Sequence, residues 1–330
     1  MTITNSQAAA LGRLSIFAMD MYTSLPPTPV PASTPPAHAA PPPLLNRLTP
    51  SPDPRIAAEG WTIVAYIVAH DALFQSGNTV LGGTEAYYGF LAKSSAGSPS
   101  FVALVRGTNG FLEWIEDAEF APMPHPTLPG ATVEQGFWGI YASMRLLDLN
   151  GSQIGANVAD AIASLVGPGT LTVIGHSLGS ALSTYLTYDL ADPSASPSRL
   201  GPRVSACLFA SPQTGDAAFA AAFDKIVADY RVFNYVLDVV PRVPIGLGYV
   251  TLPRATVLQP ATSEASIRVN LFCNHHVICY CAMLDYEATM DDKDVLVTPD
   301  DKACAACVLG PETAAPTLAK LLTTGAMAIG

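Results

Sequence analysis

Gly175-His176-Ser177-Leu178-Gly179 sets one serine between two glycines, a type and spacing that could make Ser177 a nucleophile. A hydroxyl attacks a carbonyl only when a base takes its proton and a carboxylate orients that base. The five-residue pattern suits such a serine where a buried strand turns abruptly into a helix, because side chains two positions to either side would clash there. "TLTVIGH", ending just before the serine, is β-branched and apolar, and "SLGSALSTYLTYDLA" has helical spacing. The rival reading is a serine that caps the following helix.

A base and an acid must then follow. With the histidine last, as in the order known for serines of this pattern, only His275 and His276 of the six histidines stand far enough along the chain. Asp238 lies just after the strand-like "YRVFNYV", where Pro241 and Pro244 enforce a loop, so it is placed on the reactive edge of a sheet. Asp216 precedes an alanine-rich helical stretch and reads instead as a helix N-cap. The oxyanion needs two donors: the backbone N–H of Leu178, directly after the serine, and a group from the loop in "VALVRGTNG", where Gly107 permits a turn and Thr108 offers main chain and hydroxyl.

The elements that must carry these groups are legible in the same way. "WTIVAYIVA", "AYYGFLAKS", "SFVALVRG", "RVSACLFAS" and "YRVFNYV" have strand composition. They alternate with "GFWGIYASMRLL", "GANVADAIASLV" and "DAAFAAAFDKIVA", which have helical spacing. Such alternation predicts an α/β fold, a mostly parallel central sheet with helices on both faces and its chemistry at the carboxyl ends of the strands. Residues 1–25 contain a helix over about 8–22, with Leu11, Leu14, Ala18 and Met21 on one stripe that must pack on the main domain. Twelve of the 29 prolines fall in residues 26–54, which read as an extended, semi-rigid linker over the surface. Residues 55–330 form the single catalytic domain.

Bulk composition narrows the partners. The 330 residues are 49% hydrophobic and carry a formal charge of -11, with 16 lysines and arginines and no basic cluster, which argues against nucleic acid. Apolar runs such as "WTIVAYIVA" stop well short of the roughly 20 residues that span a bilayer. The start of the chain lacks a positive region, and Asp20 breaks its most apolar stretch, so the sequence favours cytoplasmic residence over secretion.

Taken in order, "VALVRGTNGFLEWIEDAEF", "VEQGFWGIYASM", "VIGHSLGSALSTYL", "FASPQTGDAAFAAAF", "RVFNYVLDVVPRVP" and "NHHVICYCAML" resemble the class 3 lipases, the family of filamentous-fungal triacylglycerol lipases, over about residues 61–285. The resemblance implies an α/β-hydrolase fold with Gly175, His176 and Gly179 shaping the elbow. It implies Ser177 as nucleophile, Asp238 and His275 as its partners, and Thr108 with Leu178 as the oxyanion hole. His275 is chosen over His276 because the family's histidine precedes a tyrosine by five positions, here Tyr280. "GFLEWIEDAEF" falls where the family has its lid: Phe111, Leu112 and Ile115 form an apolar stripe, and Trp114 packs beneath it. A fixed helix over an ordinary esterase pocket is the alternative. The implied reaction is hydrolysis of triacylglycerol or related lipid esters through an acyl-enzyme, with no cofactor and with transient contact at a lipid interface. Soluble short-chain or feruloyl esters are the alternative substrates.

Two features depart from the family. Glu134 stands in "VEQGF" where a histidine is common, and the proline-rich stretch is longer than expected. Five of the six cysteines come late, at Cys273, Cys279, Cys281, Cys304 and Cys307, interleaved with His275 and His276. Buried or free thiols are the leading reading of that cluster, a disulfide the next and a zinc site the last, since the spacing fits no standard finger. A zinc-binding protein, or an interaction protein working through the proline tract without catalysis, are the readings from other classes; no metal ligand is assigned.

Overall fold

In a computed structural model the chain is described at residues 3–25, 48–70, 74–76, 79–81, 84–97, 99–108, 120–194, 196, 198–290 and 296–310. A nine-stranded sheet runs through its centre. Numbered in chain order, its strands are β1 (Trp61–His70), β2 (Glu85–Ser94), β3 (Ser100–Val105), β4 (Arg145–Leu147), β5 (Gln153–Ile154), β6 (Thr170–His176), β7 (Val204–Phe209), β8 (Asp229–Tyr235) and β9 (Ala255–Leu258). The spatial order is β9-β8-β7-β6-β3-β2-β1-β4-β5. Strands β3, β6, β7, β8 and β9 are mutually parallel, while β1, β2, β4 and β5 extend the sheet antiparallel. This is the α/β-hydrolase architecture.

The parallel strands are apolar on both faces because helices cover both. In β3, Phe101, Ala103 and Val105 join one core cluster and Val102 and Leu104 the other; in β7 the same alternation separates Ala206 and Leu208 from Cys207 and Phe209. Period-two alternation between two buried layers is what a doubly covered sheet requires. One layer holds α3 (Gln135–Ala142), α4 (Val158–Val166), α5 (Leu178–Ala191) and α6 (Ala217–Ile226). The other holds α1 (Asn5–Thr23), α2 (Pro54–Ala58) and α8 (Val277–Leu284), with the short α7 (Leu271–His275) before α8 and α9 (Tyr286–Met290) and α10 (Pro299–Ala305) after it.

Helix α1 begins at Asn5 because Thr4 and Gln7 close a reciprocal capping box, which satisfies donors that would otherwise be orphaned. It lies close against α8: a Cβ on Gly12 would come within 2.6 Å of Cys281 Sγ. A side chain there would have to displace that sulfur.

The sequence pattern "GFWGIYASMRLL" reads as one helix, but α3 stops at Ala142 and Arg145–Leu147 become strand β4. Ser143 ends the helix by donating its hydroxyl to the Ile140 carbonyl and accepting from the His70 N–H. Strand β1 then offers a ladder to Leu146 and Leu147, so sheet pairing overrides the local helical preference. A second, smaller sheet of Pro122–Pro124, Thr132–Glu134, Gly215–Asp216 and Tyr249–Val250 sits beside the main one. Among the described residues no helix is long and apolar enough to cross a membrane.

Candidate active site

Strand β6 enters α5 through Ser177, whose backbone is forced to φ 60°. A Cβ at position 175 would sit 2.3 Å from the Gly179 carbonyl oxygen, and one at position 179 would sit 2.1 Å from that of Val105. Glycine is therefore required at both places, and the strained turn lifts Ser177 clear of strand and helix. Ser177 holds the N-cap position of α5, yet its side chain caps nothing. Its Oγ lies 2.8 Å from His275 Nε2 instead.

His275 Nδ1 lies 2.9 Å from Asp238 Oδ2. Asp238 follows β8 and is 1% exposed. Its Oδ1 accepts the Val240 N–H at 2.9 Å, and its Oδ2 accepts the Tyr280 hydroxyl at 2.7 Å. The Tyr280 oxygen in turn accepts the Tyr235 N–H at 2.9 Å, so its proton is directed at the carboxylate. A hydrogen-bonded acid on Nδ1 orients Nε2 toward the serine hydroxyl.

The two neighbouring histidines separate in space. His276 caps α8 and holds its Nε2 2.6 Å from Cys304 Sγ, away from the serine. Burial, reinforced by the neighbouring His275, pushes its pKa down to about 4, so it stays neutral. The ring of His176, just before Ser177, donates from Nε2 to the His275 carbonyl oxygen at 2.7 Å. Burial, with His275 again beside it, holds His176 well below the usual histidine range.

Leu178 opens α5 directly after Ser177, and Gly107 and Thr108 line the same cavity as the serine. Arg106, buried at the end of β3, clamps that loop: Nε donates to the Tyr87 carbonyl, Nη1 donates to the Gly107 carbonyl at 2.7 Å, and the guanidinium stacks 3.5 Å from the Tyr22 ring centroid. The sequence reading gave Arg106 no role. A lone arginine closing an otherwise apolar strand was the available signal. Phe111, Leu112, Trp114 and Ile115 lie outside the described residues.

The cavity above Ser177 measures about 500 Å³. Its walls include Ile16 and Met19 from α1, Phe272 and Val277 beside the histidine, and Cys304 from α10. Ser15 Oγ, also on α1 in this wall, has no hydrogen-bond partner among the described residues. The sequence placed α1 on the main domain but not at the site. Arg55 fastens this wall together, pairing with Asp20 of α1, Asp53 at the start of α2 and Asp301 of α10. Burial, with Asp301 and Asp53 adding to it and Arg55 opposing it, raises the Asp20 carboxyl to about 6.

Other sequence expectations resolve locally. Asp216 caps α6 by accepting the Phe219 N–H, and also accepts the Thr132 N–H. Glu134 accepts the N–H groups of Gly136 and Phe137 and so caps α3; burial raises its pKa, against those bonds. Cys273 and Cys307 form a disulfide with Cα atoms 5.3 Å apart, while Cys207, Cys279, Cys281 and Cys304 are buried free thiols. The sequence reading ranked free thiols above a disulfide; both occur, because the chain folds α10 back beside α7. Among the described residues no group of three or more His, Cys, Asp or Glu is placed to hold a metal ion.

The class 3 lipase family model matches residues 102–247, which carry the Gly107–Thr108 loop, the Ser177 turn and Asp238. Phospholipase A1-II 7 of Oryza sativa subsp. indica is 34% identical to this chain over 195 residues, covering 52% of this chain and 47% of its own length. Secreted mono- and diacylglycerol lipase A of Penicillium cyclopium is 28% identical over 181 residues, covering 54% of each. The chain thus spans about half the length of the curated relatives it matches. Among solved structures, the native Rhizomucor miehei lipase propeptide complex aligns with a TM-score of 0.49 at 17% identity, covering 76% of this chain and 67% of its own. His275, Tyr280, α1 and α10 all fall outside the residues matched by the family model.

Proposed function

We propose that this chain is a carboxylic ester hydrolase acting on lipid esters through Ser177, His275 and Asp238. One observation carries the reading: Ser177 Oγ, the His275 ring and the Asp238 carboxylate form a continuous hydrogen-bonded chain, with steps of 2.8 and 2.9 Å, and Ser177 and His275 line the cavity. Ser177 Oγ attacks the ester carbonyl as His275 Nε2 takes its proton, and Asp238 stabilises the imidazolium. The oxyanion is met by the Leu178 N–H at the α5 N-terminus and by Thr108, on the loop that Arg106 braces. His275 then returns the proton to the departing alcohol, and water activated by the same ring cleaves the acyl-enzyme.

The substrates proposed are triacylglycerols and related lipid esters, in keeping with relatives named as a phospholipase A1 and a mono- and diacylglycerol lipase. In this reading the segment "GFLEWIEDAEF" is the lid, and Phe111, Leu112, Trp114 and Ile115 are its candidate lid and substrate residues. Residues 1–25, 26–54 and 55–330 remain the proposed division into helix, linker and catalytic domain. The Cys273–Cys307 disulfide favours an oxidising compartment over the cytoplasm that the start of the sequence suggested. The decisive experiment compares hydrolysis of emulsified triacylglycerol with that of soluble short-chain nitrophenyl esters, using Ser177→Ala as the blank. Turnover of either that disappears in the variant supports the hydrolase. A strong preference for the soluble esters would replace lipase by esterase, and undiminished turnover by the variant would end the reading.

A further inference from the structure

Among the described residues two arginines are buried, and their surroundings differ. Arg13, 8% exposed, donates to both carboxylate oxygens of Glu59. Arg106, 1% exposed, forms no ion pair among the described residues: Nε and Nη1 donate to the Tyr87 and Gly107 carbonyls, and Nη2 has no hydrogen-bond partner among them. Its guanidinium lies instead over two rings, 3.5 Å from the centroid of Tyr22 and 4.7 Å from that of Tyr88. Buried charges are ordinarily paired, because ring faces and carbonyl dipoles replace only part of the water that has been removed. An exception points to a counter-charge that is present only part of the time.

The neighbours of Arg106 supply one. Nη1 holds the Gly107 carbonyl oxygen at 2.7 Å, and Gly107 stands against the nucleophile turn: a Cβ on it would lie 3.1 Å from the His176 carbonyl oxygen and 3.3 Å from Ser177 Cβ. The peptide joining Gly107 to Thr108 is planar and trans, so its N–H points away from its C=O. An arginine that fixes this carbonyl therefore fixes the direction of the Thr108 N–H, and both residues line the cavity with Ser177. The charge-assisted bond also polarises the peptide, which makes that N–H a stronger donor. When Ser177 Oγ bonds to the ester carbonyl carbon, the C=O π pair moves to oxygen and the serine proton moves to His275 Nε2. An anion then forms beside a cation that had no partner.

We propose that Arg106 is a positioning residue of the oxyanion hole, that the oxyanion itself is its counter-charge, and that Tyr22 of α1 holds the guanidinium in place. The proposal rests on the ester hydrolase reading and deepens it by giving the N-terminal helix a part in the rate. The charge is unanswered in the resting protein and answered only after attack. Its contribution therefore falls on the transition state rather than on substrate binding.

The test reads kcat, KM and melting temperature on a soluble nitrophenyl ester. It adds inhibition by an alkyl trifluoromethyl ketone, which the serine attacks to leave an oxyanion, and by the corresponding trifluoromethyl alcohol, which it cannot attack. Arg106→Gln removes the charge and should lower kcat roughly a hundredfold, with KM within about twofold of the unmodified value. The ketone should weaken by a similar factor and the alcohol should bind as before. Tyr22→Leu keeps the arginine and every cavity-lining side chain, so it remains informative if the arginine variant does not fold; it should lower kcat and ketone affinity by roughly tenfold. Tyr22→Phe, which keeps the ring face, should recover most of that loss. Full activity in Arg106→Gln or Tyr22→Leu, a loss confined to KM, or a fall in kcat with unchanged ketone affinity would overturn the proposal and leave Arg106 a packing role. Absence of turnover and of ketone binding in the unmodified chain would instead remove the hydrolase reading beneath it, a result distinct from an active chain indifferent to both substitutions.

Discussion

Tyr280 donates its hydroxyl to Asp238 Oδ2, the same oxygen that faces His275 Nδ1, while its own oxygen accepts the Tyr235 N–H. Strand β8, the acid loop and α8 are thereby locked to one another through a single buried hydroxyl. Tyr280→Phe removes the second bond to the carboxylate and strands a backbone donor, which should cost about 1–3 kcal/mol of stability. It should also lower kcat by roughly tenfold, since the acid orients His275 less firmly. Denaturant melts and a pH–rate profile for the variant check both effects; an unchanged rate would show that Tyr280 only packs.

The two adjacent histidines should behave very differently when replaced. His275→Ala should abolish ester hydrolysis to within residual levels, a loss of about five to six orders of magnitude comparable to Ser177→Ala. His276→Ala removes the α8 cap and the contact to Cys304, so it should lower stability by about 1 kcal/mol while retaining most of the activity. Steady-state kinetics on soluble esters separates the two.

Gly179→Ala places a methyl group 2.1 Å from the Val105 carbonyl oxygen, a backbone atom that cannot rotate away. Relief requires moving α5 relative to β3, so the variant should lose more than about 3 kcal/mol or fail to accumulate as folded protein. Expression yield and circular dichroism read this directly. An ordinary melting curve would contradict the close packing of the elbow.

The Asp20 carboxyl, raised to about 6 by burial, sets a pH window for the α1–α2–α10 junction. Because its folded pKa lies above the unfolded value of about 3.9, the folded state binds the proton more tightly between those values. Its contribution to stability is therefore full below about pH 4 and is lost as pH rises through about 6. Asp20→Asn should flatten that part of the stability profile relative to the unmodified chain. Urea midpoints taken across the window are the measurement, and parallel profiles would remove Asp20 as the cause.

Alkylation of the denatured, unreduced chain should label four cysteines, and all six after reduction, with Cys273 and Cys307 the pair that changes. Reducing that bond reopens a loop with a sequence separation of 34 and should cost about 3–4 kcal/mol. Peptide mapping by mass spectrometry would expose any other pairing.

The elbow was legible because it is local. Two glycines, a serine, an apolar run before and a helical pattern after are all properties of neighbouring residues, and sterics at one turn dictate them. The alternation of strands and helices is local in the same sense, and it carried the sheet and its two covered faces. Asp216 could be read as a cap for the same reason, since the N–H it accepts is three residues away.

Tertiary structure decided whatever depended on distant partners. His275 and His276 differ by one position in the chain, but only the fold sends one ring to Ser177 and the other to Cys304. "MRLL" carries a helical pattern, and only the free edge of β1 makes it a strand. Arg106, Tyr280 and the Arg55 junction draw their meaning from groups brought together by packing, and nothing in their own neighbourhoods announces it. Side-chain periodicity records which face an element buries; it does not record which other element will be pressed against that face, and the walls of this cavity are built from that second kind of information.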